Sequence, residues 1–117
     1  MQTIRQGDLL FIPLQSETAN SSHVNPYRAE NFRPDGIIRE GEATGHHHRI
    51  AVLDDAEVFR PQPNEWQGVT VVRVSERGVS IVHEEHKPVH LAPNTTYRVN
   101  IAREFDYAAQ VTRPVWD

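Results

Sequence analysis

Seven of the 117 residues are histidine, and their placement is what could do chemistry in this chain. Three are consecutive, His46-His47-His48, and two more bracket a carboxylate pair in His83-Glu84-Glu85-His86. Side chains on a strand alternate between its two faces. Over 46–53, His46, His48, Ile50 and Val52 therefore share one face, and His47, Arg49, Ala51 and Leu53 the other. The β-branched Ile50 and Val52 mark the first face as the inner one. Over 79–85, Val79, Ile81, His83 and Glu85 fall together, so His83 continues an apolar face as His46 and His48 do. Burying three imidazoles without partners would cost roughly 1–3 kcal/mol each. His46, His48 and His83 are accordingly expected to meet around a shared ligand.

Three neutral imidazoles form the ligand set of an open metal site, so the expected cofactor is a divalent ion: Zn, Fe, Mn or Ni. Three protein ligands leave a position for water or a substrate oxygen, which the ion would acidify or polarise. Glu85 and His86 are the candidates for moving protons, and they or Glu84 for a fourth ligand. His23 and His90 are expected as hydrogen-bonded core or rim residues, and His47 as a solvated one. Near the C-terminus, Arg98, Arg103 and Tyr107 are the candidate substrate-binding residues, since guanidinium groups grip carboxylate or phosphate in bidentate fashion. The competing reading of this cluster is a surface ion-pair network with Glu104 and Asp106, of little energetic weight. Trp66 is expected as an exposed loop contact. Trp116 is expected to dock into the fold or a neighbouring subunit.

The elements that must hold these residues are strands. Apolar and β-branched runs occur at 8–14, 36–41, 46–53, 56–60, 68–75, 78–85, 95–102 and 108–116, and three-turn helical periodicity is absent. Turn residues separate the runs: Asp35-Gly36, Gly41, Gly45, Asp54-Asp55, Pro61, Pro63, Arg77-Gly78 and Pro93-Asn94. The pattern predicts an all-β chain, a single domain over 1–117, built as a small barrel or sandwich. The clearest expected hairpin joins 69–75 to 79–83 through Glu76-Arg77-Gly78. A long polar segment at about 15–34 is expected as an irregular loop, either floppy or a functional flap.

Composition narrows the classes further. The chain has no cysteine, which excludes disulfide scaffolds, thiolate zinc sites and cysteine nucleophiles. Its formal net charge of −4 argues against a nucleic-acid partner. The start of the sequence has no apolar leader, and no run approaches the roughly 20 apolar residues of a membrane helix. A soluble, cytoplasmic protein is expected.

Two resemblances add to this. The stretch Gly41-Glu42-Ala43-Thr44-Gly45-His46-His47-His48 resembles the first motif of the cupins, and Leu91-Ala92-Pro93-Asn94-Thr95-Thr96-Tyr97 resembles their turn-then-strand phrase. Together they imply a cupin-like barrel. The usual motif glutamate has no counterpart in Arg49-Ile50-Ala51-Val52-Leu53, and His83 precedes Pro93 where the cupin histidine follows a turn. A wider pattern is similar to a group of short uncharacterised bacterial and phage proteins. It comprises Gln6-Gly7-Asp8, Glu40 to His48, Val82 to Pro88, Tyr97-Arg98-Val99 and Arg103 to Tyr107. That similarity implies that His46, His48, His83, Glu84, Glu85 and His86 belong to one site.

Three functions compete on these residues. The first is a small β-barrel protein with a histidine-centred metal pocket taking a small-molecule or anionic ligand. The second is a metal-free, nuclease-like phosphodiester-processing protein in which histidines act as acid and base and Arg98 or Arg103 holds phosphate. The third is a non-catalytic homo-oligomeric assembly module whose strand edges and 15–34 loop meet a second subunit.

Overall fold

In the computed structural model, residues 2–14, 25–40, 45–64 and 68–102 are described. They carry nine strands: β1 (Ile4–Gln6), β2 (Leu9–Pro13), β3 (Ile37–Glu40), β4 (His47–Ile50), β5 (Ala56–Phe59), β6 (Thr70–Val74), β7 (Val79–Val82), β8 (Val89–Leu91) and β9 (Thr96–Ile101). Short 3-10 turns lie at Ala29–Asn31 and Leu53–Asp55. The expected all-β class is what forms. The strands make two antiparallel sheets, one ordered β1-β2-β9-β6-β5 and the other β3-β4-β7-β8. No described helix is long and apolar enough to cross a membrane.

Period-two alternation explains the core. Leu9 and Phe11 of β2, Val58 of β5, Val72 of β6 and Tyr97 of β9 enter from the first sheet; Ile50, Val79, Ile81 and Leu91 enter from the second. Burial of these apolar faces against one another is the main favourable term. Tyr97 is buried to its hydroxyl, which accepts a 2.9 Å hydrogen bond from the Ala92 backbone N–H. The sheets also approach at their sides, with β1 beside β8 and β3 beside β5, but no ladder joins either pair among the described residues.

The expected 69–83 hairpin is corrected by the pairing. β6 pairs with β5 and β9, whereas β7 pairs with β4 and β8, so the two belong to different sheets. The turn between them still needs Gly78, whose φ is +72°. It carries the chain from sheet to sheet because Ser75 and Val74 bond to Asp55 and Thr95 instead of across a hairpin.

The 25–34 part of the expected irregular loop is structured as a cover for β5. Phe32 bridges Phe59, the Arg33 N–H donates to Val58, and the Arg60 N–H donates to Asn31. Tyr27 packs edge-on to Phe59 at 5.3 Å. An exposed edge strand would otherwise present unpaired backbone groups. The remainder of that loop, the run at 108–116, His23, Trp66 and Trp116 lie outside the described residues.

Candidate functional site

Two turns and one strand build the site. β1 and β2 are joined by Gly7-Asp8, a two-residue connection with glycine first at φ +59°. That turn lies against the β7–β8 loop carrying His83 to Lys87. β4 supplies His48. As alternation implies, His48 and Ile50 are buried while Arg49 is exposed. His46 precedes the paired part of the strand and is only half-buried.

Gln6 holds the centre together. It is 2 % exposed, and its amide nitrogen donates to the carbonyls of Ile81 and Lys87, each at 2.9 Å. Both amide hydrogens are thus committed, which fixes the side-chain oxygen as the acceptor facing His48. The oxygen lies 2.9 Å from His48 Nδ1, so the ring carries its proton on Nδ1. His48 Nε2 is left with a lone pair. Asp8 Oδ1 stands 3.6 Å from that nitrogen. Burial, helped by the neighbouring His83 and His86 and opposed by Asp8, pushes the His48 pKa down to about 4. The ring is neutral at physiological pH.

The other imidazoles gather beside it. The His83 ring centre is 4.3 Å from that of His48 and 4.6 Å from that of His86. His86 is nearly parallel to His48, at 13° and 6.1 Å. It lies directly over Gly7: a Cβ there would come within 2.5 Å of His86 Nε2. His46 meets His83 edge-on at 5.8 Å. His83 Nδ1 accepts a 3.0 Å hydrogen bond from the Glu85 N–H, which places the proton of the neutral ring on Nε2. Burial and the proximity of His86 lower the His83 pKa, against the pull of Glu84.

The carboxylates fall into distinct roles. Glu84 accepts a 2.8 Å hydrogen bond from the His47 N–H, which holds its pKa below the usual range and clamps the β7–β8 loop onto β4. Glu85 faces His46, with 3.7 Å between Oε1 and Nδ1. His46, His48, His83, Glu84, Glu85 and His86 are therefore neighbours. The rings meet at varied angles, near-parallel only between His48 and His86, tilted by 41° where His83 meets His48 and His86, and edge-on between His46 and His83. Among the described residues no three His, Asp or Glu side chains are arranged to hold one metal ion as they stand.

The substrate-binding candidates sit elsewhere or outside the described residues. Arg98 lies on β9 between the core residues Tyr97 and Val99, on the opposite face, and pairs with Ile12 and Val71 in the first sheet. Arg103 and Tyr107 lie outside the described residues. His90, on β8, is exposed, and its Nδ1 is 3.4 Å from Ser80 Oγ. Sequence reasoning gave no role to Gln6 or Asp8. The available signal was a polar residue in phase with Ile4 on an inward face, followed at once by a Gly-Asp turn.

Fold and site together define an all-β protein with a buried, amide-clamped histidine flanked by further imidazoles and a carboxylate. The chain belongs to the family described as a domain of unknown function (DUF8820), whose model matches residues 5–102. The match spans Gln6, Asp8 and the four clustered histidines, and ends before Arg103 and Tyr107. No curated protein and no solved structure matches the chain.

Proposed function

We propose that the protein binds one divalent metal ion at a site nucleated by His48 Nε2 and Asp8 Oδ1. The 3.6 Å between these two acceptors carries the reading. Neither donates to the other while His48 is neutral, so their lone pairs face each other unfavourably unless a cation lies between them. Two ligands each about 2.0–2.2 Å from an ion, at a tetrahedral angle, stand about 3.3–3.6 Å apart. His48 also has the supporting shell of a metal-ligating imidazole: Nδ1–H donates to a side-chain carbonyl, which fixes the tautomer and leaves Nε2 for the ion.

His83 and His86 supply further donors by turning their rings toward the ion. For His83 this means giving up the hydrogen bond from Glu85. His46 stands one layer back, beside Glu85, and the Glu85 and His86 side chains at the exposed rim are the groups to move protons at the ion. The nitrogen-and-oxygen donor set suits Zn, Fe, Mn or Ni. The surrounding shape is read as a flattened, cupin-like barrel, supported by the approach of β1 to β8 and of β3 to β5.

Elemental analysis of protein purified without a nickel column tests the proposal. About one metal per chain is expected, falling to near zero in Asp8→Asn. Negligible metal, together with nucleic-acid cleavage that survives a strong chelator, would overturn it in favour of metal-free acid–base chemistry.

A further inference from the structure

His48 is covered. Only 3 % of it is exposed, which leaves no opening for an ion with its water shell. Gln6 occupies the Nδ1 edge at 2.9 Å. Over the ring lie His83 and His86, whose centres are 4.3 and 6.1 Å away. Both belong to the β7–β8 loop, residues 83–88.

The two sides of the site are held differently. The β1–β2 turn is pinned from behind, because the Ala102 N–H donates to the Asp8 carbonyl and Gln6 is buried beside it. The β7–β8 loop is exposed from Glu84 to Pro88. At its far end Gln6 donates to the Lys87 carbonyl at 2.9 Å. At its near end the Glu84 carboxylate accepts the His47 N–H at 2.8 Å. The bond from the Glu85 N–H to His83 stays within the loop, and Glu85 stands 3.7 Å from His46, beyond hydrogen-bond reach. Among the described residues, Glu84 is thus the one side chain of the loop that hydrogen-bonds to β4. Segments that open over a site are drawn from such exposed, weakly tied backbone.

We propose that the β7–β8 loop is a door over the metal site and Glu84 its latch: the ion passes when the Glu84–His47 bond opens and the loop lifts His83 and His86 from His48. The inference rests on the metal site proposed above. The loop must return over the ion to present those two rings, so the latch is made before and after passage and broken during it. Its loss should speed uptake and release together. Loss of a ligand would instead speed release alone and weaken affinity.

Stopped-flow mixing of the chelator-stripped full chain with zinc, then competition with a chromophoric chelator, measures both rates. In Glu84→Ala both should rise about fivefold, with affinity changed by less than about twofold. Glu84→Gln keeps an oxygen acceptor and should change both rates less. Amide hydrogen exchange at His47 in the metal-free protein reads the latch directly and should be about fivefold faster in Glu84→Ala. No zinc bound by the unmutated protein would defeat the metal site itself. Zinc bound with rates unaltered by Glu84→Ala, one rate changed alone, a Glu84→Gln effect as large as that of Glu84→Ala, or unaltered exchange at His47 would overturn the latch.

Discussion

Gln6 and His48 are 42 residues apart in sequence and 2.9 Å apart in space, joined by a buried hydrogen bond from the imidazole Nδ1 to the amide oxygen. The same amide donates to the Ile81 and Lys87 carbonyls. One side chain thus ties the edge strand β1 to the second sheet and sets the tautomer of the central histidine.

Replacing Gln6 with Ala should therefore destabilise the fold by about 2–4 kcal/mol, since two buried polar groups and the half-buried Lys87 carbonyl lose a partner at once. Gln6→Glu should not rescue it, because a carboxylate would face two carbonyl oxygens. Urea unfolding measures both. A loss under about 0.5 kcal/mol in Gln6→Ala would show that the clamp carries no stability.

Acid should weaken the metal-free protein well before its carboxylates titrate. The His48 pKa is about 4 in the fold against 6.5 in the unfolded chain, so the unfolded state binds more protons between those values. Stability then rises with pH from about 4 to 6.5 and is lost as pH falls through that window, by about 3 kcal/mol in all. His83, also lowered, acts in the same direction. Asp35 and Glu40 are depressed as well, mainly by hydrogen bonds from Arg33 and Arg60, but their contribution is lost only below about their ordinary values of 3.8 and 4.5. Unfolding free energies at pH 7.0 and 5.0 in the presence of a chelator separate the two. Equal values would contradict the burial of a neutral His48.

Gly7→Ala should be costlier than Gly45→Ala, although both glycines have positive φ, +59° and +84°. A side chain at either position suffers left-handed backbone strain of roughly 1–2 kcal/mol. At Gly7 the added Cβ also collides with the His86 ring, whereas at Gly45 nothing lies within 4 Å. Only Gly7→Ala should move the His86 imidazole signals in a nitrogen-15 NMR spectrum. Identical stabilities and unmoved signals would place His86 away from the turn.

Much of this was legible in the order of residues, and the failures have physical causes. Alternation along 46–53 correctly turned His48 and Ile50 inward, because both lie in the paired part of β4, but it failed at Val52, which lies beyond the strand's end and is exposed. His46 follows the rule less fully because pairing begins only at His47. The 69–83 hairpin failed because Gly78 accommodates a positive φ whether the chain folds back on itself or crosses to the other sheet. The partners that decide between these, Asp55 and Thr95, are distant in sequence. β1 and β8 are three residues each, too short for a periodicity to register. Gln6 and Asp8 stood in the wider pattern without a role at the site, because a lone amide and a turn aspartate acquire meaning only from His48 across the fold.

Anomalous scattering from a crystal grown without added metal, recorded at the Mn, Fe, Ni and Zn edges, tests the central claim most directly. The account predicts one peak about 2.0–2.2 Å from both His48 Nε2 and Asp8 Oδ1, with the His83 or His86 ring turned to meet it. A well-ordered site with no peak there, and the His83 and His86 rings unmoved, would contradict it.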